Sequence, residues 1–302
     1  MGRADLAVSR VAFGCAAIGG YDYGGADDAM SERAVRAALD AGITLFDTAD
    51  VYGFGHAESI LGRALGADRH RVAIATKCGV RWGPDGRTRR DASPAYITSA
   101  VDASLRRLGV DCITLMQIHW PDPSTPIAET MHALERCRVA GKVRYLGCCN
   151  FDFELVEEAQ RHGRLESQQL PLAVGQREWA ECARACADRH GMAVLCYNTL
   201  AQGLFSGKFA PGTAFPAEDL RSRSALFAGE RGTANFALLE RLREAACREG
   251  RTPAQVAVRW VLAQPGVTSA IVGARSPEQV EENVAAVADA ALAVATHHLT
   301  DE

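Results

Sequence analysis

The chain has 302 residues, 48% of them hydrophobic and 23% charged, with a formal net charge of −4 at pH 7. This is the balance of a globular protein with ample core, and the absence of a clustered basic block argues against nucleic acid as a partner. No run approaches the roughly 18 apolar residues of a membrane span, and the opening MGRADLAVSR has no apolar stretch of signal-peptide length.

In chain order, strand-like and helix-like segments alternate from end to end. Val11 to Ile18 reads as a first buried strand, and Ser31 to Ala41 as a helix with Ser31 at its N-cap. Thr44 to Thr48 is a short strand, Glu58 to Leu65 a helix and Arg71 to Thr76 a third strand. Pro94 to Leu108 is helical, because Ile97, Val101, Leu105 and Leu108 recur on one face. Cys112 to Ile118, Val143 to Cys149, Ser167 to Leu172 and Ala193 to Tyr197 read as strands four to seven. The helices between them are Ile127 to Ala140, Phe153 to His162 and Glu178 to His190. Residues 203–232 read as a long loop, followed by helices over 233–249 and 253–263. Ser269 to Val272 is the eighth strand, and Glu278 to Val287 the last helix.

Eight strands alternating with helices predict parallel β/α architecture. A single (β/α)₈ TIM barrel over residues 1–302 fits the count and the lack of a linker. The rival, a doubly wound sheet, wants G-x-G-x-x-G after its first strand. Gly14, Gly19, Gly20, Gly24 and Gly25 do not have that spacing.

The ten cysteines are scattered and form no C-x-x-C pair. They read as buried free thiols in a reducing cytoplasm rather than a zinc site. Among 33 basic residues only Lys77, Lys142 and Lys208 are lysines, as coding bias in a GC-rich genome would give.

Catalytic groups of such a barrel stand at the C-terminal ends of its strands. Strand two ends in Asp47, with Tyr52 shortly after; strand three ends in Lys77 and strand four in His119. Singly, each has a structural reading: a cap, a rim aromatic, a solvated ammonium, a packed imidazole. Together they form a proton-donating site for reduction of a carbonyl. An ammonium lowers the pKa of a nearby phenol, a carboxylate balances the ammonium, and an imidazole orients the substrate oxygen.

The segments FDTADVYG (46–53), ATKCG (75–79), QIHWPD (117–122), GKVRYLGCCNF (141–151), YNTLAQGLFSGKF (197–209) and AIVGARSPEQVEENV (270–284) resemble the aldo-keto reductase family, in order and over nearly the whole chain. The resemblance implies a (β/α)₈ barrel that binds NADP(H) without a Rossmann fold and carries a tetrad of Asp47, Tyr52, Lys77 and His119. His119 stands where relatives that reduce C=C bonds have Glu, which favours carbonyl chemistry. By the same resemblance Asn150 and Gln169 hold the nicotinamide carboxamide, beside Cys149, and Tyr197 stacks on the ring. Leu200, Gln202, Gly203 and Lys208 wrap the pyrophosphate; Arg275, Ser276, Gln279, Glu282 and Asn283, in one segment with Gly273, take the adenosine end. An Arg beside a helix start suits a 2′-phosphate.

The chain departs from the family in Cys149 for the usual Ser, in Asn198–Thr199 within the usual Y-S-P-L, and in the lack of an aromatic near Leu172. Residues 215–235 resemble the bacterial branch that includes general-stress and inositol-cluster reductases, which implies a mobile loop over the cofactor. The implied activity is reversible hydride transfer to a small aldehyde or ketone in the cytoplasm. The alternative is a cofactor-binding regulatory or sensor protein with little turnover.

Overall fold

The structure is a computed structural model that describes residues 1–21 and 23–288; the remainder of the expected 1–302 domain lies outside the described residues. Eight parallel strands close into a barrel in sequence order. They are β1 (Val11–Gly14), β2 (Leu45–Asp47), β3 (Ala73–Cys78), β4 (Ile113–Ile118), β5 (Val143–Cys149), β6 (Ser167–Pro171), β7 (Ala193–Tyr197) and β8 (Val267–Gly273). Helices α1 (Asp28–Asp40), α2 (His56–Leu65), α3 (Pro94–Leu108), α4 (Ile127–Val139), α5 (Phe153–Gln160), α6 (Ala180–His190), α7 (Gly229–Glu249), α8 (Pro253–Ala263) and α9 (Pro277–Ala285) surround them.

Strand alternation sorts the core into two layers. Ala12, Leu45, Ala75, Leu115, Leu195 and Ile271 fill the barrel interior, with Met1, Leu6 and Val8 of the N-terminal segment packed against them. Val11, Phe13, Phe46, Ile74 and Met116 point outward onto the helices. No described helix is long and apolar enough to cross a membrane.

Local chemistry moves several expected boundaries. The first strand stops at Gly14, and Ala16–Gly19 form a 3₁₀ turn instead of continuing the strand to Ile18. The turn brings Gly19 against the backbone of the Tyr52 loop. A Cβ on Gly19 would stand 3.0 Å from Gly53 N and from Tyr52 C, and Gly53 itself has φ +58°. Helix α1 is capped by Asp27, whose Oδ1 accepts from Met30 N at 2.8 Å; Ser31 is a buried residue inside the helix, not its cap. The loop expected over 203–232 is shortened, because α7 begins at Gly229. All ten cysteines are free, but Cys112 and Cys247 are exposed rather than buried.

An antiparallel hairpin, Val80–Trp82 with Thr88–Arg90, was not anticipated. Its turn contains Pro84–Asp85–Gly86, with Gly86 at φ +72°, a recognised turn signal in the sequence.

Candidate active site

The ends of β2, β3 and β4 bring the four expected catalytic residues together. Lys77 is 1% exposed. Its ammonium donates to Asp47 Oδ1 at 2.6 Å, Thr48 O at 2.8 Å and Tyr52 OH at 3.3 Å, so all three N–H bonds are used. The second oxygen of Asp47, Oδ2, accepts from Gln169 Nε2 at 2.7 Å. The His119 ring lies edge to face with Tyr52, centroids 5.8 Å apart. Asn150, at φ +61°, donates from Nδ2 to His119 O at 3.0 Å and accepts from Tyr197 OH at 2.8 Å. The exits of β4, β5 and β7 are thereby stitched behind the tetrad.

Burial sets the protonation states. It pushes the Tyr52 phenol up to about 12. Lys77 acts in the expected, lowering direction, but desolvation outweighs it and Asp47 opposes it. The expectation of a lowered phenol pKa is thus corrected: Tyr52 is firmly protonated at neutral pH, as a proton donor must be. Burial works against the Lys77 charge, yet Asp47 and then Tyr52 outweigh it and raise its pKa. Burial, assisted by Lys77, holds His119 well below the usual imidazole range, and its Nδ1 has no hydrogen-bond partner. Cys149 is 1% exposed, and burial keeps its thiol protonated.

A cleft of about 700 Å³ opens beside Tyr52 at the ends of β1, β7 and β8. Of the residues expected at a cofactor, Tyr197, Leu200, Gln202, Gly203, Lys208, Gly273, Arg275 and Gln279 line it. Cys149, Asn150 and Gln169 are not on its wall; Gln169 bonds Asp47, which lines the cleft with Tyr52, and Asn150 bonds the His119 backbone. Ser276, Glu282 and Asn283 support its far end: Ser276 caps α9 by accepting from Gln279 N, and Asn283 Nδ2 donates to Gly273 O at 3.4 Å. The charge of Glu282 reaches Lys208.

The cleft has the marks of an anion site. Asn198, Ala201 and Gln202 hold φ of +59°, +48° and +57°, and Gly203 +89°. Such strain in non-glycine residues clusters at functional sites, and successive turn amides make anion-binding concavities. Gln202 Oε1 is buried with no partner. Lys208, Arg221 and Arg275 converge, and burial followed by the two guanidiniums lowers the Lys208 pKa. Arg221 is matched by Asp219, through Nε to Oδ1 at 2.9 Å and Nη2 to Oδ2 at 2.5 Å. Among the described residues Arg275 donates to carbonyls, Tyr23 O at 3.1 Å and Gly25 O. The strained amides and crowded cations fit the phosphates of an anionic dinucleotide, and the orphaned amide oxygen, an acceptor, fits a donor such as a ribose hydroxyl.

Some wall residues escaped the sequence reading: Tyr23, Phe209 and Arg221. Phe209, Phe215 and Phe227 pack ring to ring at 4.9 to 5.5 Å, and the Arg221 guanidinium lies 4.9 Å from the Phe215 centroid. Three phenylalanines in a stretch rich in glycine and proline were the available signal. Behind the tetrad, fully buried Glu58 pairs with Arg107 at 2.6 Å and accepts from Thr76 Oγ1 at 2.5 Å.

Residues 10–295 match the model of the aldo/keto reductase family. The chain is 38% identical to the aldo-keto reductase YhdN of Bacillus subtilis over 279 residues, 91% of this chain and 84% of that protein. It is 34% identical to the NADH-specific methylglyoxal reductase of Escherichia coli over 307 residues, 95% and 92% of the two chains. Among solved structures, the glycerol dehydrogenase AKR11B4 of Gluconobacter oxydans superposes with a TM-score of 0.87 at 40% identity, covering 95% of this chain and 88% of that one.

Proposed function

The chain belongs to the aldo/keto reductase family of nicotinamide-dependent carbonyl reductases, and from that membership we propose that it is an NADP(H)-dependent reductase of small aldehydes or ketones. Tyr52 is its general acid. The observation that carries this reading is the phenol itself: protonated by burial, 3.3 Å from the Lys77 ammonium, and on the wall of the cleft.

The bound cofactor supplies a hydride reversibly, so alcohol oxidation runs over the same groups. Tyr52 donates its proton to the carbonyl oxygen as that oxygen gains charge. Lys77 stabilises the phenolate left behind, and Asp47 holds Lys77 in place. His119, neutral at working pH, orients the carbonyl by hydrogen bonding without competing as an acid. Gln169 and Asn150 brace Asp47 and the His119 backbone from behind. The free thiols fit a cytoplasmic setting. Steady turnover of NADPH with an aldehyde or ketone panel, followed by absorbance, tests the reading. Tight NADPH binding without turnover of any carbonyl would favour the sensor alternative.

NADP(H) rather than NAD(H) rests on Arg275 and Lys208, although the Escherichia coli relative is named as NADH-specific. Arg275→Ala is expected to weaken NADPH by roughly 1.5–3 kcal/mol, one charge-assisted contact, and to change NADH little. A loss shared equally by both cofactors leaves Arg275 as a tie for the Tyr23–Gly25 loop and removes it from phosphate recognition.

Cys149 offers a second test. Its thiol feels both Lys77 and Asp47, and a thiol is a weak donor. Cys149→Ser should tighten NADPH by at most about 1 kcal/mol, one ordinary hydrogen bond, or leave it unchanged. Unchanged affinity with a clear drop in melting temperature would instead mark Cys149 as a packing residue, because serine would then bury an unpaired hydroxyl.

A further inference from the structure

The hairpin after β3 spans the two loops that carry the reacting pair. Its register sets Val80 opposite Arg90 and Trp82 opposite Thr88. Side chains alternate along each strand, so Trp82 and Arg90 share one face, while Arg81 and Arg89 share the other. At one end of the first face, Trp82 meets Phe54, centroids 6.0 Å apart. Phe54 follows Tyr52 by two residues and is held at φ +57°, a strained conformation for a bulky side chain. At the other end, the Arg90 guanidinium lies 5.4 Å from the centroid of Trp120, and Trp120 stacks on His119 at 6.4 Å. The face therefore runs from the Tyr52 loop to the His119 loop.

Charge singles out one residue of this hairpin. Asp91 pairs with Arg81 at 3.3 Å and with Arg89 at 4.0 Å, and Asp85 pairs with Arg87 at 3.6 Å. Among the described residues, no carboxylate pairs with Arg90. The acid two residues beyond Trp120, Asp122, is engaged elsewhere. It accepts from Ala92 N at 2.8 Å through Oδ2 and from Ser124 N at 3.0 Å through Oδ1, which clamps the end of the hairpin to the Trp120 loop. Arg90 is exposed, and the strand register and this clamp set its backbone beside Trp120.

We infer that Arg90 and Trp120 form a subsite for the anionic tail of the substrate, a carbonyl compound with a flat apolar body ending in a carboxylate. The inference rests on the carbonyl-reductase reading above. The physical basis is a division of surfaces. A guanidinium stacked on an aromatic ring uses its face for the ring and keeps its N–H edge for a carboxylate. Stacking also fixes the fork in place, so less freedom is lost when a bidentate pair forms. The body of the substrate lies along Trp120 and Trp82, with its carbonyl between Tyr52 and His119.

The test compares two aldehydes of nearly equal size, 4-formylbenzoate and its methyl ester, at low and high salt. The acid is expected to exceed the ester in kcat/KM by about tenfold at low salt, one ordinary charge-assisted contact, and to lose this advantage as salt screens it. Arg90→Ala should collapse the acid-to-ester ratio through KM with little change in kcat. Arg90→Glu should invert the ratio, and Arg90→Lys should recover part of it. An acid-to-ester ratio near one in the parent protein, or a ratio that Arg90→Ala leaves intact, overturns the subsite. If neither aldehyde nor any neutral carbonyl turns over, the reductase reading falls instead. Binding of 4-(hydroxymethyl)benzoate, read by tryptophan fluorescence, then decides the subsite alone. Weaker binding in Arg90→Ala supports it, and equal binding overturns it.

Discussion

Tyr52→Phe lowers kcat for carbonyl reduction by at least about 100-fold, the usual scale for a lost general acid, while NADPH binds as before. The substitution removes one oxygen and leaves the ring that packs beside His119 and under the Lys77 ammonium, 4.9 Å from its centroid. Affinity for the cofactor is therefore spared, and the loss falls on the chemical step. The pH profile gives an independent reading. Burial pushes the Tyr52 phenol up to about 12, and reduction needs the protonated form. The rate should thus be flat across neutral pH and fall only as pH rises toward that value; alcohol oxidation, which needs the phenolate, should rise over the same range. A mutant that keeps more than half of its kcat would assign the proton to another group.

Lys77→Met is expected to cost both activity and stability, because it leaves Asp47, 2% exposed, with Gln169 as its remaining side-chain hydrogen-bond partner among the described residues. Removing one partner of a buried ion pair costs about 3–5 kcal/mol. For a domain of this size, that lowers the melting temperature by on the order of 10 °C. The double variant Lys77→Met with Asp47→Asn removes the stranded charge. It should recover most of the stability and none of the activity. If the single variant melts with the parent protein, the pair contributes no net stability and Lys77 is kept for chemistry alone.

The barrel was legible because apolar runs of strand length alternate with helical stripes such as Ile97, Val101, Leu105 and Leu108, and buried parallel strands need no finer signal. The tetrad was legible because strand ends are where such a barrel places reactive groups. What escaped depends on forces that sequence periodicity does not encode. The hairpin is short and rich in arginine, so its Pro84–Asp85–Gly86 turn stood without apolar strands to flank it. The turn at Ala16–Gly19 is apolar, like the strand it follows, and only a close contact with the Tyr52 loop separates the two. The sign of the Tyr52 shift is a contest between an ammonium and desolvation, and burial is known only once the chain is folded. Arg221 is recognisable as a cleft residue only when Phe209, Phe215 and Phe227 are seen to gather around it.

The contact between Gly19 and Gly53 separates two design problems within one site. Main chain rests on main chain there, with no room for a side chain on Gly19 to act as a spacer. The height of the phenol above the barrel is therefore gauged by peptide geometry, which substitution elsewhere on the rim leaves alone. Arg90 and Trp120 stand on other loops, after β3 and β4, and among the described residues neither touches the Tyr52 loop as Trp82 does through Phe54. Exchanging them retunes which carbonyl is admitted while the acid stays at its station, so lineages, or engineers, can diversify substrate without recalibrating the proton transfer.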